Sequence, residues 1–334
     1  MDLIYERTRE NGAVDSGYLC RFSADFDITT NTENPTNDFE ITMKLPKSPN
    51  DLYWTENGIS TIVYVEGTEF GGEIKGADIN IRDNTITYTG RTWRGTLSQY
   101  IIEPPSGQDY LIVSGNLADS LRLLPMNPII DVQNTEYSGN SYQFDRYIPT
   151  FEGIDGLLTA AQENLRTILV YDDGSVKLSI VEARDLTNLI EISQDYNDKV
   201  SLSIKRDHNT PKHLICLGRG ELHDRQVVHL YADENWNVST TPIAGAYPVD
   251  TYDYSSSDAL EADGRKQYAK LIADHEQIDV SIDNLDIQLS DIIAAKDFLT
   301  GETVTAEITS IVWKCINNGR YQTEDFEYRT KVRK

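Results

Sequence analysis

Side chains able to do chemistry are plentiful in this chain, but their spacing gives them little to do. The five histidines are His208, His213, His223, His229 and His275. Four crowd into one stretch, yet no cysteine lies at ligand spacing and no HExxH motif sets two on one helix face. His213 and His229 read as strand residues, and His208 and His223 as turn residues. They need not converge, so ordinary polar surface is the expectation. Cys20, Cys216 and Cys315 are too scattered for a disulfide framework or a zinc knuckle and are expected to be buried, reduced thiols.

With 54 Asp and Glu residues, carboxylate pairs at the roughly 5–10 Å of a glycosidase arise by chance, and nothing singles one out. The acid-rich run from Asp279 to Asp291 lacks the glycine and terminal glutamate of an EF-hand loop and reads as a solvated face. Gly218-Arg219-Gly220 has neither a third glycine nor a following helix and reads as a turn. No GxSxG, no GK[ST] phosphate loop and no GxGxxG occurs. No catalytic, cofactor-binding or metal-ligating residue is therefore assigned, no cofactor is expected, and the chain does not read as an enzyme.

Charge is more informative. Against those 54 acids stand 30 Lys and Arg, leaving a formal charge of −24 over 334 residues. Such a surface repels phosphates and anionic membranes, so stable nucleic-acid binding is not expected. It suits solubility, calcium binding, or a conduit through which DNA slides without sticking. Hydrophobic residues at 39% are enough for packed cores. No apolar run reaches the roughly 18–20 residues of a membrane span, and Met1–Arg7 lacks the basic-then-apolar order of a secretory leader. A soluble protein made in the cytoplasm of its host cell, without membrane association, is expected.

The positioning elements are mostly strands. Ser16–Ile28 alternates in its later half, and Asp38–Leu45 puts Phe39, Ile41, Met43 and Leu45 on one face. Further strands are expected over 60–66, 68–78 and 85–89, with turn or bulge signals at Gly71-Gly72 and Asp83-Asn84. Glu103-Pro104-Pro105-Ser106-Gly107 breaks the ladder and marks a boundary. Beyond it, Phe151, Ile154, Leu157, Leu158, Ala161 and Leu165 form a helical stripe with Thr150 as its expected N-cap. A hairpin follows, turning at Asp172-Asp173-Gly174. Strands resume over 200–206, 213–218 and 226–232, then a helix over 257–275, then a C-terminal hairpin turning at Asn317-Asn318-Gly319. The fold class expected is β-rich α+β.

Two segments carry a resemblance. Tyr88-Thr89-Gly90-Arg91-Thr92-Trp93-Arg94-Gly95-Thr96-Leu97-Ser98-Gln99-Tyr100-Ile101-Ile102 resembles the element of siphophage tail hub proteins in which a strand ends at Gly-Arg and a short helix follows; Tyr100 stands where arginine is common. Ile287–Ile311 resembles the family's C-terminal signature, a strand, a turn at Thr300-Gly301 and another long strand. The family is also similar to the structural N-terminal part of tail-associated lysins and to the central hub of contractile baseplates. It implies a homotrimer that continues the tail tube, built from two tail-tube-like β-barrels with two small helix-containing inserts. The corresponding domains are 1–103 as the first barrel, 104–195 as an α+β insert, 196–232 with 284–334 as the second barrel, and 233–283 as an insert with one helix. Implied partners are the distal tail protein, tail tube subunits, the tape measure protein and tip or fibre proteins. The implied location is the tail tip of a virion, assembled in the host cytoplasm, with no cell-wall hydrolase appended. Physical reasoning points the same way: unpaired strand edges serve assembly, and a head-to-tail contact ends in a ring when its rotation closes. A carbohydrate-binding or glycan-degrading protein is the second reading, for its 19 Tyr and 4 Trp, and an extracellular adhesin module the third.

Overall fold

The computed structural model describes all residues except 9–11, 33–35, 48–59, 163, 188–190, 193–199, 207–208, 256–258, 274–275, 283–286, 297–302 and 334. Its fold is β-rich α+β, as the strand patterning predicts, and the chain forms two compact units. The first takes in Met1–Ser201 and Ser281–Arg333, and the second Leu202–Val280.

The first unit opens with β1 (Leu3–Thr8), β2 (Val14–Tyr18), β3 (Phe22–Thr29), β4 (Asp38–Lys44), β5 (Ser60–Val65), β6 (Gly71–Asn80) and β7 (Thr85–Thr92). Ser16–Ile28 is thus two strands, parted at Leu19–Arg21, where Arg21 takes a φ of 61°. Cys20 lies in that break and is exposed, contrary to expectation, whereas Cys216 and Cys315 are buried in strands. After β7 come α1 (Trp93–Leu97), β8 (Ile101–Ile102), β9 (Ile112–Asn116), α2 (Leu117–Arg122), β10 (Ile130–Val132), β11 (Ser138–Gln143), β12 (Ile148–Pro149), α3 (Thr150–Ala161), β13 (Leu165–Asp172), β14 (Ser175–Glu182) and β15 (Glu191–Ile192).

This middle segment builds a core in which Leu117, Leu121, Phe144, Phe151, Ile154, Leu157, Leu158, Leu169 and Leu178 meet, and which also takes in Ile62 of β5 and Trp93 and Leu97 of α1. The stripe on α3 faces that core as its spacing requires. Two details differ from expectation. Thr150 is the first helical residue and not the cap; its hydroxyl donates to the Pro125 carbonyl at 2.7 Å instead. Leu165 belongs to β13, because the helix ends at Ala161. The β13–β14 hairpin turns on Asp173 and Gly174, both at positive φ, which is the geometry a two-residue hairpin loop needs.

The second unit begins within β16 (Val200–Arg206) and holds β17 (His213–Leu217), β18 (Val227–Ala232), β19 (Val238–Ser239), β20 (Val249–Asp253), α4 (Leu260–Ala273) and most of β21 (Glu276–Ile282), which pairs with β16. Its main sheet runs β19-β18-β17-β20. Leu260 and Tyr268 of α4 pack on Leu214, Cys216, Leu230 and Ala232 from the underside of β17 and β18. The boundary drawn from sequence at 232/233 runs through this core.

The chain then returns to the first unit as β22 (Ile292–Lys296), β23 (Thr303–Asn317) and β24 (Gln322–Arg333). These strands complete an eleven-stranded sheet of order β15-β22-β23-β3-β4-β7-β6-β5-β1-β2, with β24 on β23. Along one edge β23 has two partners: Thr303–Glu307 pair with β22 and Ser310–Asn317 with β3. A bulge falls between Ile308 and Ser310, where the partner changes. The most enclosed apolar positions are Ala306 and Ile308 before it and Ile311, Trp313 and Cys315 after it, with Ser310 and Val312 also buried. The extra residue shifts the alternation by one so that the apolar side stays inward.

Candidate functional site

The large sheet has two chemically opposite faces, and alternation creates both. Inward go Phe22, Phe26 and Ile28 of β3, Phe39 and Ile41 of β4, Trp313 of β23 and Tyr328 of β24. Phe26 stacks on Phe39 at 5.0 Å between centroids and meets Trp313 at 5.5 Å, and Phe70 closes on Trp313 at 5.5 Å. Aromatic contacts of this kind add roughly 0.5–1.5 kcal/mol each beyond area burial.

The residues between them, one step out of phase, point the other way and are mostly acids. In one row of the register Asp325 stands opposite Lys314, Lys314 opposite Asp25, and Asp25 opposite Glu40. In the next row Glu327 and Asp27 flank Val312. Asp38 lies beyond, opposite Arg91 of β7. Six carboxylates from β3, β4 and β24 thus share one face with Lys314 and Arg329 among them; Lys314 ion-pairs with Glu327, and Arg329, opposite Ser310, lies near enough to Asp27 to oppose the rise in its pKa. Burial raises the Asp25 pKa, Lys314 opposes that, and Asp27, Glu327 and Glu40 add to it. Burial also raises Asp27, against hydrogen bonds from the hydroxyls of Thr36 and Ser310. Like charges directly opposite one another destabilise a sheet, so this face costs stability while giving a dense negative field.

A polar frame holds the face in place. Asn37, buried between β3 and β4, accepts from the Thr29 amide at 2.7 Å, donates to the Thr29 carbonyl at 3.2 Å, and accepts from the Thr92 amide on its own carbonyl at 3.0 Å. The Thr309 carbonyl, at the bulge of β23, accepts from the Thr30 amide at 2.9 Å and the Thr29 hydroxyl at 2.8 Å. Helix α1, capped by Thr92, sits against Asn37 so closely that a Cβ at position 95 would lie 1.9 Å from the Asn37 carbonyl; glycine is required there. Its Arg94 forks onto Glu69 at 2.7 and 3.1 Å and reaches the Thr167 carbonyl at 2.8 Å. Sequence placed Asp291 on a solvated face, but the structure buries it completely. Arg184 binds it through Nε at 3.0 Å, Arg166 approaches to 3.3 Å, and the Gln288 amide donates at 2.7 Å. Burial lowers the Arg166 pKa, and the Asp291 charge opposes the shift.

The histidines divide. His208 and His275 lie outside the described residues. His223 is exposed beside Asp224. His213 and His229, not expected to converge, do so: Nε2 of the first and Nδ1 of the second are 2.8 Å apart. Pairing of β17 with β18 puts His213 opposite Tyr231 and His229 opposite Ile215, so the two rings are diagonal neighbours on one face. No group of three or more metal-ligating side chains occurs among the described residues. The six acids of the sheet face were never singled out by sequence, although the alternation Asp38-Phe39-Glu40-Ile41 carries the signal.

No family model and no curated protein matches the sequence. Solved structures do match. A prophage MuSo2 43 kDa tail protein of Shewanella oneidensis aligns with a TM-score of 0.55 at 13% identity, over 100% of this chain and 98% of the other. A tail protein of Neisseria meningitidis aligns at 0.52 and 13%, over 99% and 97%. This chain has the fold of phage tail proteins. Prophage tail protein gp18 of Listeria monocytogenes, at 0.51 and 13% over 100% and 95%, has it too. Coverage near completeness on both sides makes this a likeness of the whole fold, and the two segments that resemble tail hub proteins keep their places within it. Gly90-Arg91 come just before the end of β7 at Thr92 and the short α1, and β22 precedes the long β23; the expected turn at Thr300-Gly301 lies outside the described residues.

Proposed function

We propose that this protein is a structural, non-enzymatic subunit of a phage or phage-like tail, forming a trimeric hub ring that continues the tail tube toward the tip. The tail-protein fold supports a structural role, and the acidic face of the large sheet is the observation that carries the hub reading. A bore that passes double-stranded DNA must not gather Lys and Arg, since every such phosphate contact releases counterions and adds affinity that transit must break. Carboxylates on β3, β4 and β24 repel phosphate within the Debye length, about 8 Å at physiological salt. In this reading Asp25, Asp27, Glu40, Asp325 and Glu327 line the bore, and the strands of the large sheet serve the two tube-like barrels. The ring meets tail tube, distal tail and tape measure proteins above and tip or fibre proteins below, and it assembles in the host cytoplasm.

The test is a symmetry-resolved reconstruction of purified particles together with a charge-reversed variant, Asp25→Lys with Asp27→Lys and Glu40→Lys. Three copies around the axis with the acidic face inward, and slowed DNA ejection by assembled variant particles, are expected. Six copies or one, or this face turned outward with ejection unchanged, would overturn the reading.

A further inference from the structure

The pair His213–His229 lies outside the sheet core of its unit, and its two ring nitrogens face each other across one hydrogen bond. We propose that these two imidazoles form a surface site for a divalent transition metal that takes ligands at right angles, copper(II) first and nickel(II) after it.

The sheet sets the spacing. The antiparallel register places both rings on the side of β17 and β18 away from α4, while Leu214, Cys216 and Leu230 anchor the opposite side in the core. Ring centroids are 5.1 Å apart, and His213 is further held by stacking on Tyr231 at 4.3 Å and 16°. The nitrogens Nε2 of His213 and Nδ1 of His229 stand 2.8 Å apart, a distance that now accommodates one shared proton. A metal bound to both at about 2.0–2.1 Å would subtend roughly 85–90° at that 2.8 Å separation. That is the cis angle of a square-planar or tetragonal centre, the geometry of copper(II) and nickel(II) with nitrogen ligands. A tetrahedral zinc centre would need the nitrogens about 3.3 Å apart at the same bond length.

Burial lowers the His213 pKa, and the neighbouring His229 lowers it further. Metal binding displaces the proton now shared between the facing nitrogens; the ring that donated it takes up a proton from water on its outer nitrogen, so that each neutral ring then carries its N–H away from the metal. His229 is exposed, so it can turn its lone pair off the present hydrogen-bond axis. The groups beside the pair are Tyr231 on β18, Val249 opposite His213 on β20 and Ser239 opposite Tyr231 on β19. None of these brings a charge, and Asp253, further along β20, is engaged by Arg225. With two protein donors, water fills the remaining positions at the open surface.

The experiment is titration of the full chain with copper(II) chloride at pH 7.5, followed by calorimetry and electron paramagnetic resonance. One tight equivalent per chain is expected, with an axial signal split by two nitrogens and a weaker response to zinc. His229→Gln and His213→Gln should each lower affinity by at least roughly tenfold, since loss of even a ligand's outer partner costs about that much. His223→Gln should leave it unchanged, and binding should fall below about pH 6, where protons compete for imidazole. Circular dichroism identifies any variant that fails to fold; His229, being exposed, keeps the test intact if His213→Gln does not. Equal affinity and an unaltered signal in the His229→Gln chain, or no site-specific binding by the wild-type chain, would overturn the proposal.

Discussion

Arg94 and Asp25 show two opposite uses of charge. Arg94 and Glu69 are nearly enclosed, with side-chain exposures of 5% and 13%, and their fork is completed by Thr167. Removing the guanidinium strands a carboxylate with little water, and breaking a buried pair in this way costs about 3–5 kcal/mol. Arg94→Ala should therefore lower the denaturant midpoint by that free energy, and Arg94→Lys, which cannot fork, should recover only part of it. Asp25 is the reverse case. Its folded pKa lies above its ordinary value, so the fold favours the neutral acid. The stability tied to that proton is present at low pH and disappears as pH rises through the folded pKa. Asp25→Asn should stabilise the chain at pH 7 by roughly 0.2–1 kcal/mol, the scale of one cross-strand charge pair. The gain should vanish once the pH falls below the carboxylate range. Equal unfolding midpoints of variant and wild type at pH 7 would contradict this.

At the scale of elements, α3 offers the sharpest test. Leu158 is 3% exposed within the core of the middle segment, next to Leu157 and Ile154. Truncating such a leucine costs about 2–5 kcal/mol, and a carboxylate there adds its own desolvation. Leu158→Asp should accordingly melt the segment, seen as lost near-ultraviolet dichroism and early thermal unfolding. Elements of this kind were legible because their signals are local. The apolar stripe of α3, the Asp172-Asp173-Gly174 turn and the Gly90-Arg91 junction each span a few residues; the turn formed in its expected place, the stripe formed without Leu165, and β7 runs one residue past the junction to Thr92. What the sequence hid depends on remote partners. The His213–His229 approach follows from strand register, and the burial of Asp291 follows from Arg166 and Arg184, more than a hundred residues away. Pairing of β3 with β23 leaves no local trace at all, because either strand's alternation would suit many neighbours.

The whole molecule divides its stabilisation between two units. Leu202–Val280 has its own core, in which Gly264 of α4 touches β17 so closely that a Cβ would lie 2.5 Å from the Cys216 sulfur. Overpacking of this sort costs about 1–3 kcal/mol, and in a unit of this size each kcal/mol moves the melting temperature by roughly 4–8 °C. Gly264→Ala should lower one calorimetric transition and spare the one that belongs to the aromatic core around Trp313. Movement of both transitions together would show that the units melt as one.

The bulged strand β23 also dictates a timetable. Thr29 bonds to Thr309 across 280 residues of sequence, so this edge of β3 has no partner until β23 has left the ribosome. Long-range pairing of this kind is slow because a large loop must close before any contact rewards it. Local hairpins such as β13–β14, and the Leu202–Val280 unit, can settle during synthesis, while β3 waits with Phe26 uncovered. An open, partly apolar edge invites pairing with another nascent chain. The charges of Asp25 and Asp27 on that same strand therefore act during synthesis, keeping unfinished copies apart until their own β23 arrives.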